Sequence, residues 1–566
     1  MGIIQLKEAN CKNCYKCIRE CPVKAISFNN EQAQVIEKEC ILCGKCILAC
    51  PQNAKQVVSH LDNVQGMLNG RNKVYVSLAP SFASFFKGID FGGMSDALKK
   101  LGFVQAEETA VGAAKVSQEY EKLLIEGKME NIITTACPTA VLLVEKYYPD
   151  LIPFLAPVVS PMIAHAMSLR QIYGNRIKVI FIGPCISKKH ETDDVLSGGV
   201  VDAAISFEEL KFWLDEEHIT LSPGEEPVKG MQHQSARFYP LPGGIIATIP
   251  KESRKKYKSI GVDGVERCIE ILESMRKGEL DKYFIEMNAC TGACLGGPCM
   301  RNTGISYINA RDSLVKNVKR PRNKICYETD AVKVGLSKKF LDRSVSLPMP
   351  SDEEIAKILS SIGKTRPEQE LNCGGCGYNT CRDKAIAVYQ GKADPKMCLP
   401  FVRERAESIS NLIIDYTPNA TIALDSELKV QEINPAALQL LKIDKSDILG
   451  KPIEEFLPCS MYDEVLHEDK IIQNRKITYE GLGLTVEQSV ISIKEQQMIF
   501  ILLKNITSEE KQQQSLKKVR DETLEVAQKV IDKQMRVAQE IASLLGETTA
   551  ETKTALTKLK KSITSD

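Results

Sequence analysis

The sequence predicts a multidomain chain of mixed α/β and α+β class. A length of 566 residues is more than one hydrophobic core normally holds, so several domains are expected. The 20 cysteines fall mostly into tight clusters, which in a reducing compartment indicates metal ligands rather than disulfides. The pattern of apolar residues also changes along the chain. These observations predict five segments, at 1–58, 73–345, 352–405, 411–507 and 508–566.

The composition excludes several classes of protein. With 74 basic and 73 acidic residues the net charge is +1, so we expect no overall electrostatic attraction to nucleic acid or to a membrane. There is no run of about 18 apolar residues, so no transmembrane helix is predicted. The N-terminus, MGIIQLKEANC, lacks the basic-then-apolar order of a signal peptide, and we therefore expect a cytoplasmic protein.

Residues 1–58 contain two copies of the pattern C-x2-C-x2-C-x3-C-P. This is the ligand pattern of two-cluster bacterial ferredoxins, in which the fourth cysteine of each run binds the cluster of the other run. Two 4Fe–4S clusters are therefore predicted, one on Cys11, Cys14, Cys17 and Cys50, the other on Cys40, Cys43, Cys46 and Cys21. Zinc is the alternative, but two proline-terminated copies argue against it. The expected role is electron transfer.

Residues 59–72 are predicted to be a short connector, and residues 73–345 an α/β domain. Strand-like segments at 73–79 and 178–183 alternate with helical stretches. Three further segments, at 134–138, 183–191 and 286–297, place cysteines in unusual contexts. Taken alone, their four cysteines are enough to ligate one 4Fe–4S cluster: Cys137, Cys185, Cys290 and Cys294.

These three segments resemble, in order and spacing, the signature motifs of FeFe hydrogenases. The resemblance covers roughly 1–345 and implies that the four cysteines hold the cubane of an H-cluster. Cys294 would also bridge to a diiron unit that carries CO, CN and a dithiolate amine. The resemblance further implies that Lys188 contacts one cyanide, that Ser81 touches the other, and that Glu191 belongs to the proton route. A surface ion pair is the alternative for Lys188 and Glu191.

The chain departs from the catalytic members of that family at three positions. Ala136 stands where they have a cysteine that passes protons to the bridging amine, so slow turnover is expected. Gly183 and Asn288 stand where they have methionines that line the diiron unit. The glutamate of the upstream proton relay aligns only loosely, near 119–121. This combination is typical of the sensory subgroup of FeFe hydrogenases.

Residues 352–405 contain the spacing C-x2-C-x4-C-x16-C. A helix is predicted from Asp383 to Gln390, between the last two cysteines of this pattern. The segment resembles the small 4Fe–4S domain of corrinoid and acetyl-CoA pathway proteins. A fourth cubane is predicted, with zinc as the alternative, on Cys373, Cys376, Cys381 and Cys398. The remaining thiols are predicted to be core or surface residues, with Cys299 near the central site: Cys268, Cys299, Cys326 and Cys459.

Residues 411–507 resemble a PAS sensor domain of the α+β class. The features that carry the resemblance are the opening at 415–420, the strands around Ile422 and Val430, the helix start at Asn434, and the terminal triplet at 505–507. No cofactor motif is visible. His467, the only histidine of this segment, is predicted to be a surface residue rather than a haem ligand.

From residue 508 the chain predicts a C-terminal coiled coil. Apolar residues recur at steps of three, four and seven, which indicates a homodimer, although one helix packed on its own domain is the alternative. They are Leu516, Val519, Thr523, Val526, Val530, Val537, Ile541 and Leu544. None of the six histidines lies beyond His467, so a kinase, phosphatase or regulator is expected as a separate signalling partner.

The leading hypothesis is a sensory FeFe hydrogenase that slowly splits or forms hydrogen and relays its redox state through 4Fe–4S clusters and a PAS domain. The second hypothesis is a metabolic hydrogenase linked to a redox partner such as ferredoxin. The third is a non-enzymatic role in iron–sulfur assembly, for which the diiron unit would be absent.

Overall fold

The structure is a computed structural model that describes residues 2–224, 234–319, 326–458, 462, 465, 471–493, 497–545 and 549–563. The chain divides into two compact units, Met1–Phe401 and Val402–Asp566. Among the described residues, no helix combines the length and the apolar character that a membrane span needs. The finer segment boundaries and the cytoplasmic location stay predictions.

The N-terminal part of the first unit is a pseudo-repeat of two short helices and two antiparallel strand pairs, β1 with β4 and β2 with β3. Its elements are β1 Ile4–Leu6, α1 Lys16–Glu20, β2 Ile26–Asn29, β3 Gln32–Val35, α2 Lys45–Ala49 and β4 Lys55–Val57. Each helix begins after a residue in the left-handed region, Tyr15 with φ 54° and Gly44 with φ 71°. The two cysteine loops therefore share one backbone conformation.

Residues 59–72 are not a simple connector, which corrects the sequence prediction. They contain helix α3, Leu61–Leu68, and two of its side chains, Leu61 and Val64, are buried in the core of the central domain. Two apolar residues that are three positions apart do not distinguish a short helix from a loop in the sequence. The core that buries them is formed by distant segments of the chain.

The central domain is built from two parallel sheets, with strand order β6-β5-β8-β9 in one and β10-β11-β7 in the other. Its strands are β5 Val74–Leu78, β6 Gln105–Glu108, β7 Ile132–Ile133, β8 Lys178–Gly183, β9 Ala203–Ser206, β10 Lys258–Asp263 and β11 Tyr283–Asn288. The predicted strands at 73–79 and 178–183 are confirmed by β5 and β8. Both are nearly continuous apolar runs, as expected for strands buried on both faces.

Helices cover these sheets and begin at residues suited to a helix N-terminus. Pro138 occupies the first turn of α7, and Ser206 with Glu209 forms a capping box at α10. The helices are α4 Phe82–Phe85, α5 Phe91–Lys100, α6 Ala110–Glu126, α7 Pro138–Tyr147, α8 Pro161–Tyr173, α9 Ser187–Asp193, α10 Phe207–Glu216, α11 Gly244–Thr248, α12 Val265–Arg276, α13 Tyr307–Lys319 and α14 Glu328–Ala331.

The last part of the first unit is a small two-helix domain, α15 Asp352–Ser361 and α16 Cys381–Tyr389. The helix predicted at 383–390 is confirmed by α16, which begins two residues earlier because Thr380 caps it. Ile355, Leu359 and Ala385 pack together with Cys398 in a small core. Helix α17, Leu399–Tyr416, follows.

The second unit contains one antiparallel five-stranded sheet with the order β13-β12-β16-β15-β14. Its elements are β12 Ala420–Leu424, β13 Val430–Ile433, α18 Pro435–Leu441, α19 Lys445–Ile448, β14 Ile472–Tyr479, β15 Leu484–Ile493, β16 Met498–Asn505, α20 Thr507–Leu545 and α21 Thr549–Ile563. The predicted helix start is confirmed, because the Asn434 side chain accepts a hydrogen bond from Ala437 N. His467 and Cys459 lie outside the described residues.

Candidate metal centre

A buried cavity of about 100 Å³ lies where the parallel strands of both sheets end. Binding sites in open α/β sheets form at the carboxyl ends of strands, because loops diverge there and leave a crevice. A cavity needs about 10–15 Å³ to hold a single water molecule, so this cavity admits a group of several heavy atoms. Ser81 follows β5, Thr109 follows β6, Cys185 follows β8 and Asn288 ends β11, and all four line the cavity.

The structure brings the four predicted cluster cysteines together. Cys137, Cys185 and Cys294 line the cavity, and Cys290 lies within electrostatic range of all three. Burial raises the pKa of Cys185, Cys290 and Cys294, and the charges of neighbouring cysteines raise it further. Four thiols crowded in one site suit an iron–sulfur group, because metal binding displaces the thiol protons.

Lys188 and Glu191 form an ion pair, but a buried one, which corrects the alternative of a surface pair. Lys188 Nζ donates to Glu191 Oε2 at 2.7 Å, with the two side chains 9% and 5% exposed. Lys188 also lines the cavity and lies 3.5 Å from the Ala136 carbonyl oxygen. Glu191 in turn lies 4.0 Å from Lys338 Nζ. The cavity therefore has one ammonium group, held in place by a carboxylate behind it.

Ser81 also lines the cavity, and its hydroxyl is buried without a hydrogen-bond partner among the described residues. A buried hydroxyl left without a partner costs about 1–3 kcal/mol. An acceptor in the cavity would remove that cost. The unpartnered hydroxyl and the Lys188 ammonium together suit a group with anionic, hydrogen-bonding ligands.

The three departures from the hydrogenase motifs have different structural consequences. Ala136 lines the cavity and presents only a methyl group. Gly183 does not line it, because the Phe181 ring occupies the space: a Cβ on Gly183 would lie 2.5 Å from Phe181 Cζ. Asn288 lines the cavity and donates to Glu286 Oε1 at 3.1 Å. The apolar ring of Phe181 and the amide of Asn288 therefore shape this wall.

Sequence reasoning missed several cavity residues, including Thr109, Phe181 and Tyr239. Phe181 could have been found, because it lies in the strand predicted at 178–183. The strand that precedes Thr109 was not predicted, and Tyr239 carries no such signal. The glutamates near 119–121 do not line the cavity. Glu119 pairs with Lys122, Glu121 accepts from Ser253, and the buried residue between them, Tyr120, contacts Thr135 instead.

The ferredoxin-like cysteines group as the pattern predicts. Cys17 lies within electrostatic range of Cys11, Cys14 and Cys50, and burial raises its pKa to about 11. Cys46 lies within range of Cys43, Cys40 and Cys21. Among the described residues, no three Cys, His, Asp or Glu side chains converge on a single metal ion. In a cubane each thiolate binds a different iron.

The second cysteine loop faces the central domain. Ser187 Oγ donates to the Leu42 carbonyl at 3.0 Å, and Lys146 Nζ donates to the Cys40 carbonyl at 2.7 Å. Cys43 lies within electrostatic range of Cys290. The cysteine group that includes Cys43 is thus adjacent to the cysteines of the central cavity.

The cysteines of the two-helix domain line a second cavity together with Tyr378 and Lys384: Cys373, Cys376, Cys381 and Cys398. This domain is docked on the first cysteine loop, where Arg19 donates to the Gly375 carbonyl and Lys24 to the Gly377 carbonyl, each at 2.9 Å. Of the remaining thiols, Cys268 and Cys299 are buried and Cys326 is exposed. Cys299 lies within electrostatic range of Cys185, so it is near the central site.

Fold and cysteine pattern together define the first unit as an iron–sulfur protein with a buried cavity at its centre. Residues 72–298 match the family of the iron only hydrogenase large subunit, C-terminal domain. Residues 3–51 match a 4Fe-4S dicluster domain, and residues 369–400 match a family described as a candidate Fe-S cluster.

Among curated proteins, iron hydrogenase 1 of Clostridium pasteurianum is 24% identical over 48% of this chain. The match spans 57% of that relative's length. The periplasmic Fe hydrogenase large subunit of Nitratidesulfovibrio vulgaris is 27% identical over 52% of this chain and 86% of that protein. An apo FeFe hydrogenase from Chlamydomonas reinhardtii aligns over 51% of this chain and all of that one, with 18% identity and a TM-score of 0.41. The central domain of the chain is therefore similar to FeFe hydrogenases.

Proposed function

We propose that this chain is a sensory FeFe hydrogenase, which binds hydrogen at an H-cluster in the central cavity and turns it over slowly. The observation that carries the proposal is the cavity itself. Three of the motif cysteines and Lys188 line this cavity together with Ala136, whose side chain cannot pass a proton. The site therefore has the groups that hold the cofactor and lacks a titratable side chain at the position next to Cys137.

The residues present fit an H-cluster. Cys137, Cys185, Cys290 and Cys294 would hold its cubane, and when bound the group supplies the metal centre at which hydrogen is cleaved or formed. Lys188, fixed by Glu191, would hold one anionic ligand by charge, and the Ser81 hydroxyl would donate to the other. The apolar side chains of Phe181 and Met162 would help to exclude water from the cavity.

Electrons would leave the cavity through the second cysteine loop. The Cys40–Cys46 loop contacts the central domain through Ser187 and Lys146, so a cluster held by this loop would be the nearest acceptor. The two-helix domain is docked on the other loop, beside Arg19 and Lys24. Its cubane would then receive charge from the ferredoxin clusters rather than directly from the cavity. An external redox partner such as a ferredoxin would meet the exposed side near Cys14.

The second unit would convert this redox state into a signal. Its sheet order and the Asn434-capped helix after the second strand are typical of a PAS domain. Helix α20 carries six apolar side chains that are between 41% and 63% exposed: Leu516, Val519, Val526, Val530, Val537 and Ile541. A second copy of the chain would cover this stripe as a coiled coil. A separate signalling partner, a kinase, phosphatase or regulator, would read the change.

An infrared spectrum of the anaerobically matured full chain, with and without hydrogen, tests the proposal. We expect CO and CN bands that move when hydrogen is added. Cys185→Ala should abolish the bands, whereas Cys268→Ala, which removes a buried thiol outside the cavity, should retain them. Absence of bands in the parent after competent maturation would leave only electron transfer or a scaffold role. Turnover as fast as that of metabolic hydrogenases would favour the metabolic alternative.

A further inference from the structure

A chain of buried polar groups runs from the central cavity towards the surface without passing through any cysteine. It starts at Thr109, which lines the cavity. Thr109 Oγ1 lies 2.7 Å from Ser77 Oγ, and Ser77 Oγ lies 2.8 Å from His165 Nδ1. His165 Nε2 lies 3.4 Å from Glu107 Oε2. Ser77, His165 and Glu107 are at most 1% exposed.

The outer end of this chain reaches half-buried residues. Tyr173 donates its hydroxyl proton to Glu107 Oε1 at 3.1 Å, and Gln105 Nε2 donates to the Tyr173 hydroxyl at the same distance. Both side chains are partly exposed. Thr329 also donates to Glu107. The series of hydrogen bonds therefore connects the cavity with partly exposed residues. Thr109, Ser77 and His165 can each accept and donate a proton, and Glu107 accepts one.

Stability does not explain this arrangement. A buried histidine–carboxylate pair is expensive to desolvate, and apolar residues of similar size often stabilise a core as well or better. Hydrogen bonds from His165, Thr329 and Tyr173 hold the pKa of Glu107 below its usual value, even though burial acts in the opposite direction. Glu107 is therefore a carboxylate. Asp330 lies within electrostatic range of His165, and Lys115 lies within range of Asp330.

We propose that Thr109, Ser77, His165 and Glu107 form the proton route between the cavity and solvent. The inference rests on the proposed function, since it supplies the proton path that Ala136 interrupts. A carboxylate can only accept, so His165 carries its proton on Nε2 and accepts from Ser77 at Nδ1.

A proton leaving the cavity enters at Thr109 as Thr109 donates to Ser77 and Ser77 donates to Nδ1. The Nε2 proton passes to Glu107 and on to solvent beside Tyr173. Each hydroxyl gains one proton and loses one, so no bond other than those to hydrogen changes. After the transfer the neutral ring carries its proton on Nδ1, so before the next transfer the ring must rotate to present that proton to Glu107 and the two hydroxyl groups must reorient.

Matched variants of the full chain test this route. Thr109→Val removes the inner hydroxyl at nearly constant volume, and His165→Gln removes the titratable ring. The control is Ser168→Ala on the same helix, which removes an equally buried hydroxyl that donates only to the Ala164 carbonyl at 3.0 Å. The first readout, made without hydrogen so that no turnover occurs, is the rate at which the CO and CN bands respond to a pH jump.

We expect that rate to fall about 10²-fold in Thr109→Val and His165→Gln and to stay unchanged in Ser168→Ala. The second readout is the ¹⁵N spectrum of histidine-labelled protein before maturation. The signal lost in His165→Gln should show the Nε2–H tautomer and should shift in Glu107→Gln. Unchanged pH-jump rates, an equal loss in Ser168→Ala, or an Nδ1–H tautomer would overturn the route while the bands remain. A parent without CO and CN bands would overturn the proposed function itself.

Discussion

Gly44 lies directly against Pro298, so that a Cβ atom on Gly44 would come within 2.5 Å of Pro298 Cγ. Gly44 is in the second cysteine loop, and Pro298 follows the last hydrogenase-like motif. The corresponding residue of the first loop is Tyr15, which adopts the same left-handed backbone. The first loop thus accepts a side chain at this position, whereas the second needs glycine because the central domain packs on it.

Gly44→Ala should therefore weaken the contact between the cysteine loop and the central domain. The left-handed backbone alone costs about 1 kcal/mol, and the clash with Pro298 adds to it. Gly88→Ala is the control, because Gly88 has φ 84° but no atom within 4 Å of its Cβ position. We expect a clearly larger drop in thermal midpoint for Gly44→Ala. Equal drops would mean that only backbone strain matters.

The buried pair of Lys392 and Glu39 should be essential for docking of the two-helix domain. Lys392 Nζ lies 2.5 Å from Glu39 Oε2, with the side chains 10% and 7% exposed. Lys392→Met should lower the free energy of unfolding by about 3–5 kcal/mol, because it leaves a buried carboxylate unpaired. The double variant Lys392→Met/Glu39→Leu should recover most of the loss. A double variant as unstable as the single one would contradict this account.

Glu286 should make stability fall with rising pH. Burial raises its pKa from 4.5 to about 7, although hydrogen bonds from Ile245 N, Ile246 N and Asn288 act in the opposite direction. The folded state thus holds a proton that the unfolded state releases between these values, so stability is full below pH 4.5 and declines through pH 7. The total loss is about 3 kcal/mol.

Glu286→Gln keeps the acceptor for both backbone N–H groups but cannot ionise. Urea midpoints of parent and variant, measured anaerobically from pH 5 to 8, should therefore diverge in favour of the variant as the pH rises. Parallel curves would show that Glu286 does not titrate in this range.

Ala136→Cys should raise hydrogen turnover by about 10²-fold if the proposed function is right, because it introduces a proton donor at the cavity wall. The measurement is hydrogen evolution by matured protein, normalised to the intensity of the CO bands. Ala140→Cys, on the following helix and outside the cavity lining, is the control for an added buried thiol. A gain in both variants, or in neither, would be evidence against the assigned role of position 136.

The apolar stripe of helix α20 should hold two copies of the chain together. Val530 is 53% exposed in a single copy, and Val530→Lys would place a charge in the interface. Sedimentation should then show a monomer, while Lys517→Glu, on another face of the helix, should leave a dimer. A parent that sediments as a monomer would favour the helix-on-own-domain alternative.

Local features of this protein were predictable from sequence because their causes are local. Cysteine spacing determines which thiols can share a cluster, and the pattern of apolar residues determined β5, β8 and α16. The motifs and the resemblance that they carry also singled out part of the cavity lining, namely Cys137, Cys185, Cys294, Lys188 and Ser81.

What the tertiary structure decided depends on contacts between residues far apart in the chain. The burial of the Lys188–Glu191 pair, the use of Phe181 to fill the space beside Gly183, and the helix at 61–68 all require a core assembled from distant segments. The path from Thr109 to Glu107 joins two strands and helix α8, which carry no common sequence signal. Burial and hydrogen bonding of this kind are properties of packing, and only the folded chain determines them.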